Sequence, residues 1–174
     1  MENLARKDDP ILVLNSGSSS LKFGIYCRAS GGDSDEKPLL TGSAEGIGQS
    51  NGTFQIRLSD GNLPVEQKGI LESQNVALSA LAATVRDHIR TAPVAIGHRV
   101  VHGGPELRSH QLITSQVLDQ LRAATHFAPL HIPQALTLIA SAQTIFPSAA
   151  AYARKCPSTE PENAMPGIAL TAAD

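Results

Sequence analysis

The hydrophobic pattern of this chain changes its period near Asn75, and that change limits the folds it can adopt. Before Asn75, short and partly alternating apolar runs are separated by glycine, asparagine and aspartate, which is typical of antiparallel strands. From Asn75, the sequence NVALSALAATVRDHIR places apolar residues on one helical face, with Asn75 as the predicted N-cap. Strands followed by alternating helices and strands predict an α/β domain with a mixed sheet and flanking helices.

The first two predicted strands are Ile11–Asn15 and Leu21–Cys27, joined by a polar turn as a β-hairpin. The segments PLLTGSAEGIG, GTFQIRLS and LPVEQKG are predicted to add further antiparallel strands. A buried strand is then predicted in PVAIGHRVVHGG, because its apolar run ends at a glycine pair.

Two more helices are predicted in the second half of the chain. The segment TSQVLDQLRAAT would begin at a cap formed by Thr114 or Ser115, and PQALTLIASAQTIF would hold Pro133 in its first turn. After Pro147 the sequence has weak periodicity and no clear core face. We therefore expect that last segment to be loosely ordered or to belong to a longer protein.

The composition excludes several classes of partner. Aromatic residues make up only 3% of the chain and tryptophan is absent, so stacking platforms for single-stranded nucleic acid are not expected. The net charge is -2 and the sequence has no block of basic residues, so electrostatic binding to nucleic acid or to a membrane surface is not expected.

The compartment is predicted from the cysteines and the apolar segments. Cys27 and Cys156 match no metal-binding or C-x-x-C spacing, which favours reduced thiols. The first ten residues, MENLARKDDP, lack the apolar run of a signal peptide, and no segment has the roughly 18 apolar residues of a membrane span. We expect a soluble cytoplasmic protein.

The stretch LVLNSGSSSLKF, residues 12–23, is unusual because four small hydroxyl residues surround a glycine between two strands. Backbone N–H groups in such a turn can converge on an anion, and Lys22 returns on the next strand as a point charge. Asn15 offers an oxygen to a hydrated divalent cation such as magnesium. The Walker pattern G-x-x-x-x-G-K-[ST] is absent, and a plain polar hairpin turn is the alternative interpretation.

The second motif is GHRVVHGG, residues 97–104. Arg99 lies near the end of an apolar strand, where a buried arginine is costly unless it meets an anion. His98 and His102 share a strand face by even spacing, but no third metal ligand follows at a telling spacing. Two histidines that are partly exposed or have their hydrogen bonds satisfied are therefore favoured over a pair of metal ligands.

The third motif is FAPLHIP, residues 127–133. His131 precedes a proline and a predicted helix, so its ring can donate to an anionic group. When this motif is considered without the others, the favoured interpretation is that His131 packs within a loop.

Together, NSGSSSLKF, GHRVVHGG and APLHIP, in this order, resemble the acetate kinase family of acetate, propionate and butyrate kinases, over roughly Ile11 to Phe146. The resemblance implies one ribonuclease-H-like half of a two-lobed kinase, as in actin, sugar kinases and Hsp70 chaperones. That N-terminal lobe would occupy residues 10–147, after an extension at 1–9 and before a degenerate or truncated start of the second lobe at 148–174. The serine turn would be the phosphate-contacting hairpin of an ATP site.

The resemblance also implies roles for individual residues. The expected set is Asn15 for magnesium, Ser18, Ser20 and Lys22 for the nucleotide, and Arg99, Val101, Leu130 and His131 for the substrate. Arg99 would bind the carboxylate or acyl phosphate, and His131 would be an active-site histidine. Val101 and Leu130 would surround the short acyl chain.

The chain also departs from the family pattern. Residues 131–135 read HIPQA where the family has His-Asn-Pro-x-Asn. Counting back from Met165 and Pro166, Ser158 stands where the catalytic aspartate is expected and Glu162 where a histidine is expected. We therefore expect no intact catalytic residue, and we expect the second half of the family architecture, with its adenosine pocket, to be missing.

The implied reaction is reversible transfer of the ATP γ-phosphoryl group to acetate or another short carboxylate, giving an acyl phosphate and ADP with Mg²⁺. The implied partners are ATP or ADP, the carboxylate or acyl phosphate, and a second copy of the intact enzyme, with no nucleic acid or membrane. A closed site that excludes water needs both lobes, so this chain alone is expected to be inactive. The competing hypothesis is a non-catalytic remnant that binds phosphate weakly or binds a partner chain.

Overall fold

The computed structural model of the 174-residue chain describes residues 9–27, 37–100, 107 and 109–155. The strands are β1 (Pro10–Ser16), β2 (Ser20–Cys27), β3 (Leu40–Glu45), β4 (Gly52–Leu58), β5 (Val65–Gly69), β6 (Ala95–Val100), β7 (Gln111–Leu112) and β8 (Ala150–Lys155). They form one eight-stranded sheet in the order β5-β4-β3-β2-β1-β6-β8-β7. The predicted mixed sheet, including its opening hairpin, is confirmed.

The sheet has an antiparallel part and a parallel part that meet at β1. Strands β1 to β5 pair in sequence order, each antiparallel to the next. On its other side β1 pairs in parallel with β6, and β6 pairs in parallel with β8. The short strand β7 closes the edge, antiparallel to β8. Strand β1 is therefore flanked by β2, which carries Lys22, and by β6, which carries Arg99.

The helices in the described ranges are α1 (Gln74–Thr84), α2 (Ser115–Ala123) and α3 (Ile132–Ile145). Helix α1 continues into a π-helical turn at Val85–Ile89, and α2 continues into a 3₁₀ turn at Ala124–Phe127. Within these ranges no helix is long and apolar enough to cross a membrane.

Side-chain capping explains where two of the helices begin. The Oγ of Ser73 accepts the backbone N–H of Val76 at 3.4 Å, so the predicted N-cap at Asn75 is wrong. Thr114 caps α2 through the N–H of Val117 at 3.3 Å, as one of the two predictions had it. Pro133 lies in the first turn of α3, where its missing N–H costs no helical hydrogen bond.

One face of the sheet is apolar and is covered by the three helices. Its buried members are Leu12, Leu14, Leu21, Phe23, Ile25, Leu40, Ala44, Phe54, Ile56, Ile96, Val100, Ala151 and Ala153. Leu78 and Leu81 of α1 and Leu138 of α3 pack in the cluster that contains most of these strand residues. Val117 and Leu121 of α2 pack with the residues of β6 and β8.

The expectation of loose order after Pro147 is wrong for Ala150–Lys155, which form β8 inside the sheet. Ala151 and Ala153 point into the core and their neighbours do not, which is the alternation of a strand. Alanine is a weak apolar signal, so this alternation was not apparent in the sequence. The predicted domain boundaries themselves stay a prediction.

Candidate functional site

The serine-rich turn between β1 and β2 is closed by its own backbone. The N–H of Gly17 donates to the carbonyl oxygen of Ser20 at 2.9 Å. A Cβ atom on Gly17 would lie 2.6 Å from the Oγ of Ser20, so the missing side chain leaves the space that this hydroxyl occupies. Ser18 is exposed and Ser20 is half-buried, which leaves the hydroxyl of Ser18 accessible to a ligand.

Two glutamines hold this turn against the beginnings of two helices. The Nε2 of Gln74 donates to the carbonyl oxygens of Gly17 at 3.1 Å and Ser20 at 3.3 Å. The Nε2 of Gln134 donates to the carbonyl oxygen of Ser18 at 3.2 Å. Both glutamines lie in the first turn of their helix, so the N-termini of α1 and α3 both approach the turn. Helix N-termini favour negative charge, which makes this turn a suitable place for an anion.

Beside the turn, the strand register brings two cations next to Asn15. Lys22 on β2 and Arg99 on β6 are both direct cross-strand partners of Asn15. Directly opposed residues on adjacent strands point to the same face of a sheet, so the three side chains form one row. The Nη1 of Arg99 donates to the Oδ1 of Asn15 at 3.3 Å, and all three residues are half-buried.

The row lies on the face of the sheet opposite the helix-covered core. Leu14 and His98, the residues before Asn15 and Arg99, are buried on the core side. Because side chains alternate between the two faces along a strand, a core residue of β1 or β6 is followed directly by a residue of the polar row.

His98 departs from its predicted environment. Its side chain is only 3% exposed, and its Nε2 has no hydrogen-bond partner within the described part of the chain. Burial lowers the pKa of His98 to about 4, so the ring is neutral near neutral pH. His98 is therefore a core residue, neither partly exposed nor satisfied at Nε2. His102, the other histidine of the motif, lies outside the described residues.

The third motif reaches the same end of the sheet. His131 is the N-cap residue of α3, is exposed, and does not cap the helix with its side chain. Three residues later Gln134 binds the serine turn, which fixes the position of this helix start. Leu130 is 72% exposed, so the described residues do not enclose it in a pocket.

Several predicted positions lie outside the described residues: Val101, Cys156, Ser158, Glu162, Met165 and Pro166. The roles assigned to the described positions stay predictions at this point.

Gln74 and Gln134 could not be identified from the sequence, because a glutamine in a first helical turn gives no signal of a contact with a distant turn. Gln74, for example, contacts Gly17, which lies 57 residues away along the chain.

Oxygen ligands for a metal ion are sparse around the row. Asn15 supplies one amide oxygen, and it lies between two cations. The described ranges contain no group of three or more His, Cys, Asp or Glu residues that could hold a metal ion. Mg²⁺ prefers carboxylates together with substrate phosphates. These residues alone therefore do not fit a resident magnesium ion.

Comparison with known proteins gives consistent matches. The model of the acetokinase family matches residues 10–155. An acetate kinase of Nitrobacter hamburgensis is 34% identical over 145 residues, covering 80% of this chain and 35% of that protein. An acetate kinase of Deinococcus radiodurans is 38% identical over 144 residues, covering 78% of this chain and 33% of that protein. The chain thus spans about a third of the length of these curated relatives.

Solved structures show the same fold. A propionate kinase from Francisella tularensis superposes with a TM-score of 0.69 at 31% identity, covering 84% of this chain and 36% of that one. An acetate kinase of Porphyromonas gingivalis gives a TM-score of 0.73 at 24% identity, covering 88% of this chain and 39% of that one. These matches confirm the predicted fold, one lobe of the two-lobed architecture.

Proposed function

This chain belongs to the acetokinase family, and on that premise we propose that its described residues form the phosphate- and carboxylate-binding half of a carboxylate kinase site. The observation that supports this most strongly is the row of Lys22, Asn15 and Arg99 beside the serine turn. The reaction is the reversible transfer of the γ-phosphoryl group of ATP to a short carboxylate. Its products are an acyl phosphate and ADP.

The chemistry explains why such a row is useful. Phosphoryl transfer needs two anions, the phosphate chain and the carboxylate, to approach each other in line. Catalysis of this step comes mainly from positioning and from charges that offset the developing negative charge. Lys22 and Arg99 lie on the two strands that flank β1, so each can hold one of the two anions.

We assign the phosphates to the serine turn and the carboxylate to Arg99. The hydroxyls of Ser18 and Ser20, the ammonium of Lys22 and the two helix N-termini supply donors and positive charge on the turn side. Arg99 can bind a carboxylate through two parallel N–H groups while it still contacts Asn15. His131, with Leu130 and Val101, completes the proposal as the residues around the acyl group.

Magnesium enters this proposal as part of the MgATP substrate. Mg²⁺ dehydrates reluctantly and usually arrives bound to phosphates. Asn15, next to the turn that would hold those phosphates, offers one oxygen to the ion or to its waters. The phosphates would offset the repulsion from the flanking cations.

We propose that the 174-residue chain does not catalyse the reaction alone. The described residues supply one side of the site, and Leu130 and Phe127, at 72% and 60% exposed, lie uncovered near the start of α3. A second lobe or a second chain placed there would exclude water from the site. The exposed pair also favours the alternative, a non-catalytic chain that binds phosphate weakly or binds a partner.

Two further features belong to the same proposal. We propose the cytoplasm as the compartment, because ATP-dependent chemistry and the reduced thiols expected from the cysteines agree with it.

We also propose self-association through exposed apolar side chains, with oligomers whose proportion increases with protein concentration. Light scattering over a hundredfold range of concentration tests this, and a monomer mass throughout would contradict it.

The function is tested with the full chain in two measurements. In the first, acyl-phosphate formation is assayed with MgATP and acetate, propionate or butyrate, and we expect no product above background. Turnover of even about 1 s⁻¹, the low end of ordinary enzymes, that is lost in Arg99→Ala would contradict the proposed inactivity.

In the second, the ¹⁵N-labelled chain is titrated with acetate while the guanidinium and amide resonances are followed by NMR. We expect acetate to shift the resonances of Asn15 and Arg99, and Arg99→Ala to abolish the response. Arg57→Ala removes an exposed arginine of β4 and is the matched control. Acetate shifts that persist in Arg99→Ala would contradict the assignment of the carboxylate to Arg99.

A further inference from the structure

Strand β5 forms one edge of the described sheet. It pairs with β4 on one side, and no described strand pairs with its other side. Glu66, Gln67 and Lys68 in its middle are exposed, and Val65 is half-buried against the core. An edge strand presents a row of backbone N–H and C=O groups with which another strand can pair. Strand β5 is therefore a surface on which a further strand can be added to the sheet.

The two charges of β5 lie on the face of the sheet opposite the helices. Glu66 is directly opposite Gln55 of β4, and Lys68 is directly opposite Thr53, so neither faces a charged residue on the neighbouring strand. Within the described ranges neither of them makes an ion pair. One residue separates them, so both side chains point to the same face. Each charge can therefore meet a charge on a strand added at this edge.

The sequence of β5, VEQKG, is complementary in charge to a second copy of itself. When two copies pair antiparallel about Gln67, Glu66 of each copy lies directly opposite Lys68 of the other. Opposite charges at directly opposed positions stabilise an antiparallel pair, and like charges destabilise it. A centre at Glu66 or at Lys68 would place that charge opposite its own counterpart. The charge pattern therefore selects the register centred on Gln67.

Two exposed apolar side chains flank the same strand. Leu63 is 39% exposed and lies two residues before β5, and Ile70 is 67% exposed and follows β5 directly. In the register centred on Gln67, the start of one strand lies beside the end of the other. Ile70 of one copy would then lie opposite Pro64 of the second copy and next to its Leu63. Pairing would cover apolar surface at both ends of the strand, which favours association.

Charged residues on an edge strand can also prevent pairing with another chain. A protective pattern repels a second copy, as a single lysine opposite itself does. Glu66 and Lys68 instead give two attractive pairs in one register, and the flanking apolar side chains add no repulsion. The pattern of this strand therefore favours pairing over protection.

We propose that β5 is a homodimerisation surface, on which a second copy of this chain adds its own β5 in the antiparallel register centred on Gln67. The inference rests on the proposed self-association and names its surface. It does not involve the anion site, because β5 lies three strands away from β2 and the serine turn. Only five residues of each strand pair, and a small interface gives a weak complex. We expect a dimer that is half-formed at roughly 0.1 mM chain.

The test uses the full chain in analytical ultracentrifugation, with the single variants Glu66→Lys and Lys68→Glu. Each variant alone would oppose like charges at both pairs, so each should dimerise about tenfold more weakly than the unmodified chain. In an equimolar mixture, the positive strand of one variant meets the negative strand of the other. A mixed dimer should therefore form about as strongly as the unmodified dimer.

The matched controls change the net charge by the same amounts at another surface. Asp119→Lys and Arg122→Glu alter two exposed side chains of α2, which packs over β6 and β8 at the other end of the sheet. Both controls should leave dimerisation unchanged. Added salt should weaken the unmodified dimer, because exposed charge pairs are screened.

The inference is overturned if the unmodified chain is monomeric up to about 1 mM, if mixing the two variants restores no dimer, or if the controls weaken the dimer as much as Glu66→Lys does. Oligomers that form equally in all variants would leave the proposed self-association standing and contradict pairing through β5. The acetate titration of Arg99→Ala reports separately on the proposed site. If acetate shifts persist in Arg99→Ala while the mixed dimer forms, the carboxylate assignment fails and this inference stands.

Discussion

The two faces of the central strands differ in almost every property although they are made by adjacent residues. On one face, Leu14 and His98 are buried beneath the helices. On the other, Asn15 and Arg99 are half-buried and joined by a hydrogen bond of 3.3 Å. Because side chains alternate along a strand, the sequence changes from core to candidate site in one step.

Because of this difference, the residues that stabilise the lobe and the residues of the candidate site lie on opposite faces of the sheet. The core face is apolar and covered by α1, α2 and α3. The apolar core supports the strands of the polar row from behind and backbone pairing sets their register, while the row adds the one hydrogen bond between Asn15 and Arg99. Substitutions on the two faces should therefore have effects of different kinds.

The largest expected effect comes from a pair of adjacent truncations. Leu14→Ala removes a side chain that is 1% exposed from the middle of the core, and we expect it to lower the free energy of unfolding by about 2 to 5 kcal/mol. Asn15→Ala should lower it by less than about 1 kcal/mol, because it removes one long hydrogen bond on the open face. Urea denaturation measures both values. Equal losses would show that the polar row is itself structural.

The second effect is a pH dependence that arises on the core face. Burial lowers the pKa of His98 to about 4 from its ordinary value of 6.5. The unfolded chain therefore binds more protons than the folded chain between these two pH values. The free energy of unfolding should fall as the pH decreases from about 6.5 to about 4, by about 3 kcal/mol in total for this group.

The variant for this effect is His98→Leu, compared with the unmodified chain. His98→Leu removes the buried titrating group, so the loss of stability between about pH 6.5 and pH 4 should shrink by that amount. Denaturation midpoints measured across this pH range test this, and identical profiles for the variant and the unmodified chain would show that burial of His98 does not cause the loss.

A smaller loss of stability than those from Leu14→Ala and from protonation of His98 is expected for the two glutamines that contact the serine turn. Gln74→Ala and Gln134→Ala each remove side-chain hydrogen bonds to the serine turn, so each should cost about 1 kcal/mol. Pyrophosphate binding at the turn should weaken in both variants. Gln55→Ala is the control, because its bond to Ser43 is long at 3.5 Å and exposed. Unchanged pyrophosphate binding in both variants would show that the turn keeps its shape unaided.

The elements of the fold were largely predictable because their signals are local. The hairpin, the amphipathic helices and the cap at Thr114 follow from alternation, period and side-chain chemistry within a few residues. Strand β8 was missed because its core residues are alanines, and Ser73 was missed because Asn75 is an equally good capping type.

The candidate site was predictable only in part, because its geometry depends on long-range pairing. The motifs identified Asn15, Lys22 and Arg99, and the strand register then placed them side by side. Gln134 carried no signal of its own, since its importance depends on the turn that lies next to it in the fold. Distances across a sheet are set by topology, which a single sequence does not specify locally.

The most direct test of the central claim is a titration of the ¹⁵N-labelled chain with pyrophosphate, followed by amide NMR. The claim is that the turn and the polar row beside it bind an anion on an open face. We expect shifts of the resonances of Ser16–Lys22 with millimolar affinity, since each exposed contact contributes on the order of 1 kcal/mol. The affinity should fall with added salt and in Lys22→Ala, and ATP and GTP should bind equally well. If the resonances of Ser16–Lys22 stay in place while others move, the turn is only a polar hairpin turn and the claim is contradicted.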